Sequence, residues 1–302
     1  MVILAKKGAC ISADRGSGGF TLLELLTVVA IIAILLGILS PGLRAARRQV
    51  AGVISMSRQK EVASGLLEYA VDYSDRLPQS VATIGTGEYW NWTEPMMLTG
   101  YRERSPGLHR SMAEYLREYI PDPRILSCPS APKPYPNLEQ VWKAGDAWDH
   151  PETALIQDPV SGNYCLWWSY SGYLSETGKV FMGPSSPSGG GRESHLIMSD
   201  YLGYDHWRNP RQFSSCERFE KSEVVAGTLL SSSLWGGKGE TDSEPNQLPQ
   251  IRIRATYLDG HVETYTTEEL TGLKVIWKVE TGEPYPDGIG PGEFFIPREA
   301  IR

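Results

Sequence analysis

The sequence predicts an α+β fold. One long N-terminal α-helix, membrane-embedded in its first half and amphipathic in its second, packs on an antiparallel β-sheet with long loops. Three observations carry this. The chain is apolar from Phe20 to Leu39, broken only by Thr21, Glu24, Thr27 and Gly37. Apolar residues then recur at helical spacing as far as Tyr73. Near the C-terminus, two alternating runs flank Asp259-Gly260.

The first element is a short polar leader, residues 1–19, which carries Lys6, Lys7 and Arg15 and ends at Gly18-Gly19. The next, residues 20–40, is a membrane helix, because a run of about twenty apolar residues spans a bilayer core. Glu24 lies inside this run. A charge there is expensive in hydrocarbon, which makes it a functional candidate. Gly19 has no side chain, so an extended backbone can lie close against a protease surface. A secretory signal peptide has a shorter apolar region and a small-residue cleavage site beyond it. Here Gly19 precedes the run, and no A-x-A pattern follows. A plain signal anchor remains the alternative, but it gives no reason to keep Glu24.

Residues 41–77 continue the helix. Pro41 and Gly42 interrupt it, and a kink or loosening is expected there. Leu43, Ala46, Val50, Val53, Val62, Leu66, Tyr69, Ala70 and Tyr73 form an apolar stripe, with Arg47, Arg48, Arg58, Lys60 and Glu61 at other positions. The helix ends near Asp75-Arg76-Leu77-Pro78, since proline restricts the residue before it.

Residues 78–302 form the globular, β-rich part. Candidate strands are Tyr164 to Tyr170, His195 to Tyr201, Val224 to Leu230 and Ile251 to Leu258. Asp259-Gly260, between two alternating runs, marks a hairpin in which both turn residues take positive φ. A short helix starts at Thr267. Gly183 to Gly191 is a flexible surface loop, and Gly282 to Pro297, rich in Pro and Gly, is irregular.

Composition narrows the function. Net charge is −7 over 302 residues. The leader is basic, so the rest of the chain is more acidic still, which argues against a nucleic-acid partner. Cys10 lies in the leader, leaving Cys128, Cys165 and Cys216. At most one disulfide joins these three, and buried reduced thiols are the alternative. No C-x-x-C spacing suggests zinc. Lys6, Lys7 and Arg15 favour a cytoplasmic N-terminus, whereas Arg44, Arg47 and Arg48 beyond the apolar run argue the other way.

Gly19-Phe20-Thr21-Leu22-Leu23-Glu24, ahead of the apolar run, resembles the N-terminus of type IV prepilins and type II secretion pseudopilins. The resemblance implies a pilin-like fold. It implies cleavage between Gly19 and Phe20 by a prepilin peptidase on the cytoplasmic face, then methylation of the new amine. It implies assembly with other pilin or pseudopilin subunits, in which Glu24 pairs with the Phe20 amine of a neighbour. The kink at Pro41 and Gly42 is also familiar from these families. The expected location is a bacterial inner membrane, crossed once, with the C-terminal domain periplasmic or extruded into a filament. Tyr69 to Pro78, Leu126-Ser-Cys-Pro-Ser130 and Tyr257 to Glu263 look like marks of a subgroup abundant in planctomycete and verrucomicrobial lineages. That subgroup often carries a histidine, nine residues, then Asp-Gly. Here the histidine position is Pro249.

The sequence also holds candidates for other chemistry. His195, Asp200, Asp205 and His206 cluster, and with Asp259 the three aspartates could bind calcium through oxygens. Turn and surface roles are the alternative, and no EF-hand spacing occurs. No other cofactor is expected. Nine tryptophans and fifteen tyrosines include Tyr89-Trp90-Asn91-Trp92, Trp167-Trp168 and Tyr204 to Trp207. Exposed, they would suit a membrane-anchored glycan-binding module; buried, they are core. G-x-S-x-G, H-E-x-x-H and P-loop motifs are absent, so no enzyme is indicated.

Overall fold

The structure is a computed structural model. It describes residues 21–82, 94–99, 108–129, 138–148, 160, 162–204, 213–215, 223–225, 228–231, 252–274, 276–278, 283–284 and 293–301. Contacts divide the chain into two units, Met1–Gln49 and Val50–Arg302.

Helix α1 runs from Leu22 to Asp72. In the first unit, the large apolar side chains from Leu22 to Leu43 are exposed. Among the described residues, α1 is the one helix long and apolar enough to cross a membrane. The interruption expected at Pro41 and Gly42 does not break it. Pro41 withholds one amide from the ladder and costs about 3 kcal/mol in a helix interior. The helix nonetheless continues on both sides, through Ser40 before Pro41 and Gly42 after it.

In the second unit, the buried face of α1 comprises Gly52, Ser55, Gln59, Val62, Ala63, Gly65, Leu66, Tyr69 and Ala70. The expected stripe holds from Val62 to Ala70, fails at Tyr73, which is 52% exposed, and is out of phase before Val62. Val50 and Val53 are 57% and 66% exposed, while Ser55 and Gln59 are fully buried. The sheet beneath offers polar partners at that point, so hydrogen bonding rather than apolarity sets which face turns inward. The helix closes with a Schellman-type cap, in which the Asp75 amide donates to the Ala70 carbonyl at 2.8 Å. Ser74 and Asp75 are left-handed there, with φ of 57° and 61°.

Two short helices follow, α2 (Met112–Leu116) and α3 (Leu138–Ala144). Ser111 caps α2 by accepting from the Ala113 amide. Then come the strands β1 (Tyr164–Leu166), β2 (Ser171–Leu174), β3 (Val180–Met182), β4 (Leu196–Asp200) and β5 (Leu202–Tyr204). They are followed by β6 (Phe213–Ser215), β7 (Glu223–Val225), β8 (Thr228–Ser231), β9 (Arg252–Tyr257) and β10 (Val262–Thr266). The last four are β11 (Leu270–Lys274), β12 (Ile276–Lys278), β13 (Glu283–Pro284) and β14 (Glu293–Pro297). A four-stranded sheet has the order β1-β4-β9-β10, and an eight-stranded sheet has the order β3-β2-β11-β14-β5-β6-β8-β7. The recorded pairings in both are antiparallel. The fold is therefore α+β, a long N-terminal helix followed by antiparallel sheets.

Several expectations need correction. The strand expected over Tyr164 to Tyr170 stops at Leu166, because the chain turns at Trp167–Tyr170 with Ser169 left-handed at φ 50°. Val224 to Leu230 is two paired strands, with Val225 opposite Thr228. The Gly282 to Pro297 tail is not irregular throughout, since β14 sits between β11 and β5 inside the larger sheet. Its Phe294 and Ile296 are buried, and that burial outweighs the flanking prolines and glycines. The hairpin at Asp259-Gly260 exists, but only Gly260, at φ 80°, is left-handed. The Gly260 amide donates to the Tyr257 carbonyl, giving a three-residue loop with glycine at the left-handed position. The short helix at Thr267 is a 3-10 turn, Thr267–Glu269.

Trp167 and Trp168 are both fully buried, so this pair is core and not an exposed platform. The Trp167 indole donates to Ser199 Oγ at 2.8 Å. Gly183 closes over this region: a Cβ placed on it would lie 1.6 Å from the Trp167 carbonyl oxygen. Tyr89 to Trp92 and residues 205–207 fall outside the described residues. Cys128 and Cys165 are buried and unbridged. Cys216 is not among the described residues.

Candidate processing and assembly site

Thr21 and Glu24 form a capping box at the start of α1. The Thr21 amide donates to Glu24 Oε2 at 2.9 Å, and its hydroxyl donates to the same oxygen at 2.8 Å. The Glu24 amide returns a bond to Thr21 Oγ1 at 3.2 Å. Two amides that a helix start leaves orphaned are satisfied together. The sequence carries the signal: Thr21-Leu-Leu-Glu24 is the Ser/Thr-x-x-Glu pattern directly before an apolar run. Reading Glu24 only as a charge in lipid overlooked it.

The geometry leaves Glu24 with spare capacity. Both Thr21 bonds converge on Oε2, and among the described residues Oε1 takes none. A carboxylate near a helix N-terminus is also favoured by the amide dipoles there. A chemical group that donates strongly, such as an ammonium, suits the second oxygen. Gly19 and Phe20 lie outside the described residues.

The second polar site is internal. Asp200, at the end of β4, is 2% exposed. Its Oδ1 accepts from Ser55 Oγ at 3.1 Å and from Gln59 Nε2 at 2.9 Å, both on α1. Its Oδ2 accepts from the Arg254 amide and from Arg254 Nη1, both at 3.0 Å, on β9. Gln59 Oε1 accepts from Thr256 Oγ1 at 2.7 Å, and Ser55 Oγ lies 3.0 Å from the Tyr164 hydroxyl. Burial pushes the Asp200 carboxyl above its ordinary value, against the pull of the Arg254 guanidinium and the donors around it. Four donated bonds and an adjacent guanidinium match an ionised carboxylate. Gly52 completes the fit, since a Cβ there would stand 2.7 Å from the Arg254 guanidinium.

This arrangement separates the aspartates grouped for calcium. Asp200 is interior and engaged with Arg254. Asp259 lies in the exposed β9–β10 turn, where its carboxylate accepts from the His261 amide at 3.1 Å. β4 starts beside Tyr257 and ends at Asp200, so the turn and Asp200 lie at opposite ends of that strand. Asp205 is outside the described residues. Among the described residues, no group of three or more His, Cys, Asp or Glu side chains is placed to hold a metal ion.

No curated protein and no solved structure matches the chain. Residues 14–40 match the prokaryotic N-terminal methylation motif, so the segment bearing Gly19, Phe20, Thr21 and Glu24 is of the kind found at the start of type IV pilin-like subunits.

Proposed function

We propose that this protein is a structural subunit of a pilus-like filament, with a type II secretion pseudopilus as the first assignment. It is cleaved after Gly19, methylated at Phe20 and assembled through α1, with its globular part outside the inner membrane. The methylation motif over residues 14–40 carries this reading. Two features of the structure support it. The apolar start of α1 is exposed, so it needs lipid or the helices of other subunits around it. Glu24 is held in place by Thr21 while its second oxygen is left to take an incoming amine.

The pairing has a physical rationale. An unpartnered carboxylate in hydrocarbon must find a counter-charge or become protonated. An amine exposed by cleavage of a second subunit supplies that charge, and a single buried polar pair can fix the stagger of packed helices.

N-terminal mass spectrometry of the mature protein tests the assignment. Methylated Phe20 as the first residue is the expected result. An intact Met1 on membrane-inserted protein would overturn it.

A further inference from the structure

The C-terminal end of α1 opens into a cleft that the filament role leaves unused. Tyr69, Asp72, Tyr73, Arg76, His109 and Glu114 are among the residues lining a volume of about 650 Å³. That is the size of a small-ligand site. Its floor is aromatic. Tyr69 and Tyr73 stack with ring centroids 4.1 Å apart and planes within 5°. Tyr115 and Tyr119 meet Tyr69 edge-on, at 6.4 and 5.5 Å. Tyr69 is 6% exposed, whereas Tyr73 is 52% exposed. The buried rings thus brace an outer ring that faces solvent.

Three of the polar groups around the aromatic floor are held by neighbours. Asp72 Oδ2 accepts from the Tyr119 hydroxyl at 2.8 Å. His109 Nδ1 lies 2.8 Å from Asp146 Oδ2, which orients the imidazole. Glu114 is tied to Arg117 at 2.8 Å. The backbone directly after Tyr73 is left-handed at two successive non-glycine residues, Ser74 and Asp75. Such backbone is costly and persists only where its surroundings hold it. Here the Asp75–Ala70 amide bond and a 2.6 Å bond from Ser188 Oγ to Asp75 hold it.

We propose that this cleft binds a saccharide, with one sugar ring stacked on Tyr73 and its hydroxyls bonded by Asp72, Arg76 and Glu114. An exposed aromatic face accepts the C–H face of a pyranose, and planar polar side chains at its edge match vicinal hydroxyls. Charges of both signs line the cleft, which suits a neutral hydroxyl-rich ligand better than a strongly ionic one. The proposal is independent of filament assembly, because every residue it uses lies in the second unit.

Full-length protein in detergent, titrated with cellotetraose, maltotetraose and chitotetraose and followed by saturation-transfer NMR, tests it. At least one tetrasaccharide binds. Tyr73→Ala weakens that binding about tenfold or more, in line with the loss of an aromatic stacking contact. Tyr73→Phe, which keeps the face, stays within about threefold. Circular dichroism checks that both variants are folded, as expected for an exposed side chain. The proposal is overturned if none of the three sugars binds, or if the folded Tyr73→Ala variant binds as well as the parent.

Discussion

Replacing Asp200 with alanine should be among the most damaging single changes in the globular part. The substitution removes the acceptor for Ser55 Oγ, Gln59 Nε2, the Arg254 amide and Arg254 Nη1. It also leaves a guanidinium whose side chain is only 14% exposed without its carboxylate. Breaking a buried ion pair from one side costs about 3–5 kcal/mol. Against a total stability of about 5–15 kcal/mol, that is a large share. With a urea m-value of about 2–3 kcal/mol/M, the unfolding midpoint should fall by about 1–2.5 M. Full-length protein in detergent, followed by the fluorescence of buried Trp167 and Trp168, reports it. The double change Asp200→Leu with Arg254→Met should recover part of the loss, because no lone charge remains buried. A midpoint shift below about 0.3 M for Asp200→Ala would refute the reasoning. A double variant whose losses simply add would refute it as well.

Three shorter tests follow. Gly183→Ala should destabilise by more than about 3 kcal/mol, because its Cβ would overlap the Trp167 carbonyl oxygen, backbone that cannot swing aside; thermal unfolding measures it. Glu24→Gln keeps a side chain able to serve the capping box but removes the charge, so membrane insertion and cleavage should persist while filaments, counted by electron microscopy, are lost. Thr21→Ala, which removes the cap and keeps the charge, is its control and should still assemble. Burial pushes the Cys165 thiol far up, so maleimide should leave it unlabelled in the native protein and label it after denaturation, read by peptide mass spectrometry.

The elements best read from sequence are those governed by local pattern. The apolar run before Pro41 and the alternation of Ile253, Ala255 and Tyr257 each needed only neighbouring residues to be interpreted. The phase of α1 between Val50 and Gln59 could not be read that way. It depends on Asp200, Arg254 and Thr256, which are far away in the chain and turn polar positions of the helix inward. The same distance hid β14, whose burial comes from β11 and β5 and not from its own flanks. The capping box was local and still missed, because Glu24 invited a reading as a charge alone. At the candidate site, the motif was legible. The cleft at Tyr73 was not, since Tyr115 and His109 reach it only through the fold.

The cross-braced carboxylate under α1 has a mechanical consequence. Force applied along the helix must leave it through whatever joins helix to sheet, and aliphatic contacts slide under such shear. Ser55 and Gln59 grip one charged anchor on β4, and Gln59 grips a second strand through Thr256. Slippage by a single turn, about 5.4 Å, would break these bonds together and leave Asp200 Oδ1 buried without the two donors the helix supplies. The sheet would therefore follow the helix when pulled, up to the load at which these attachments fail as a group.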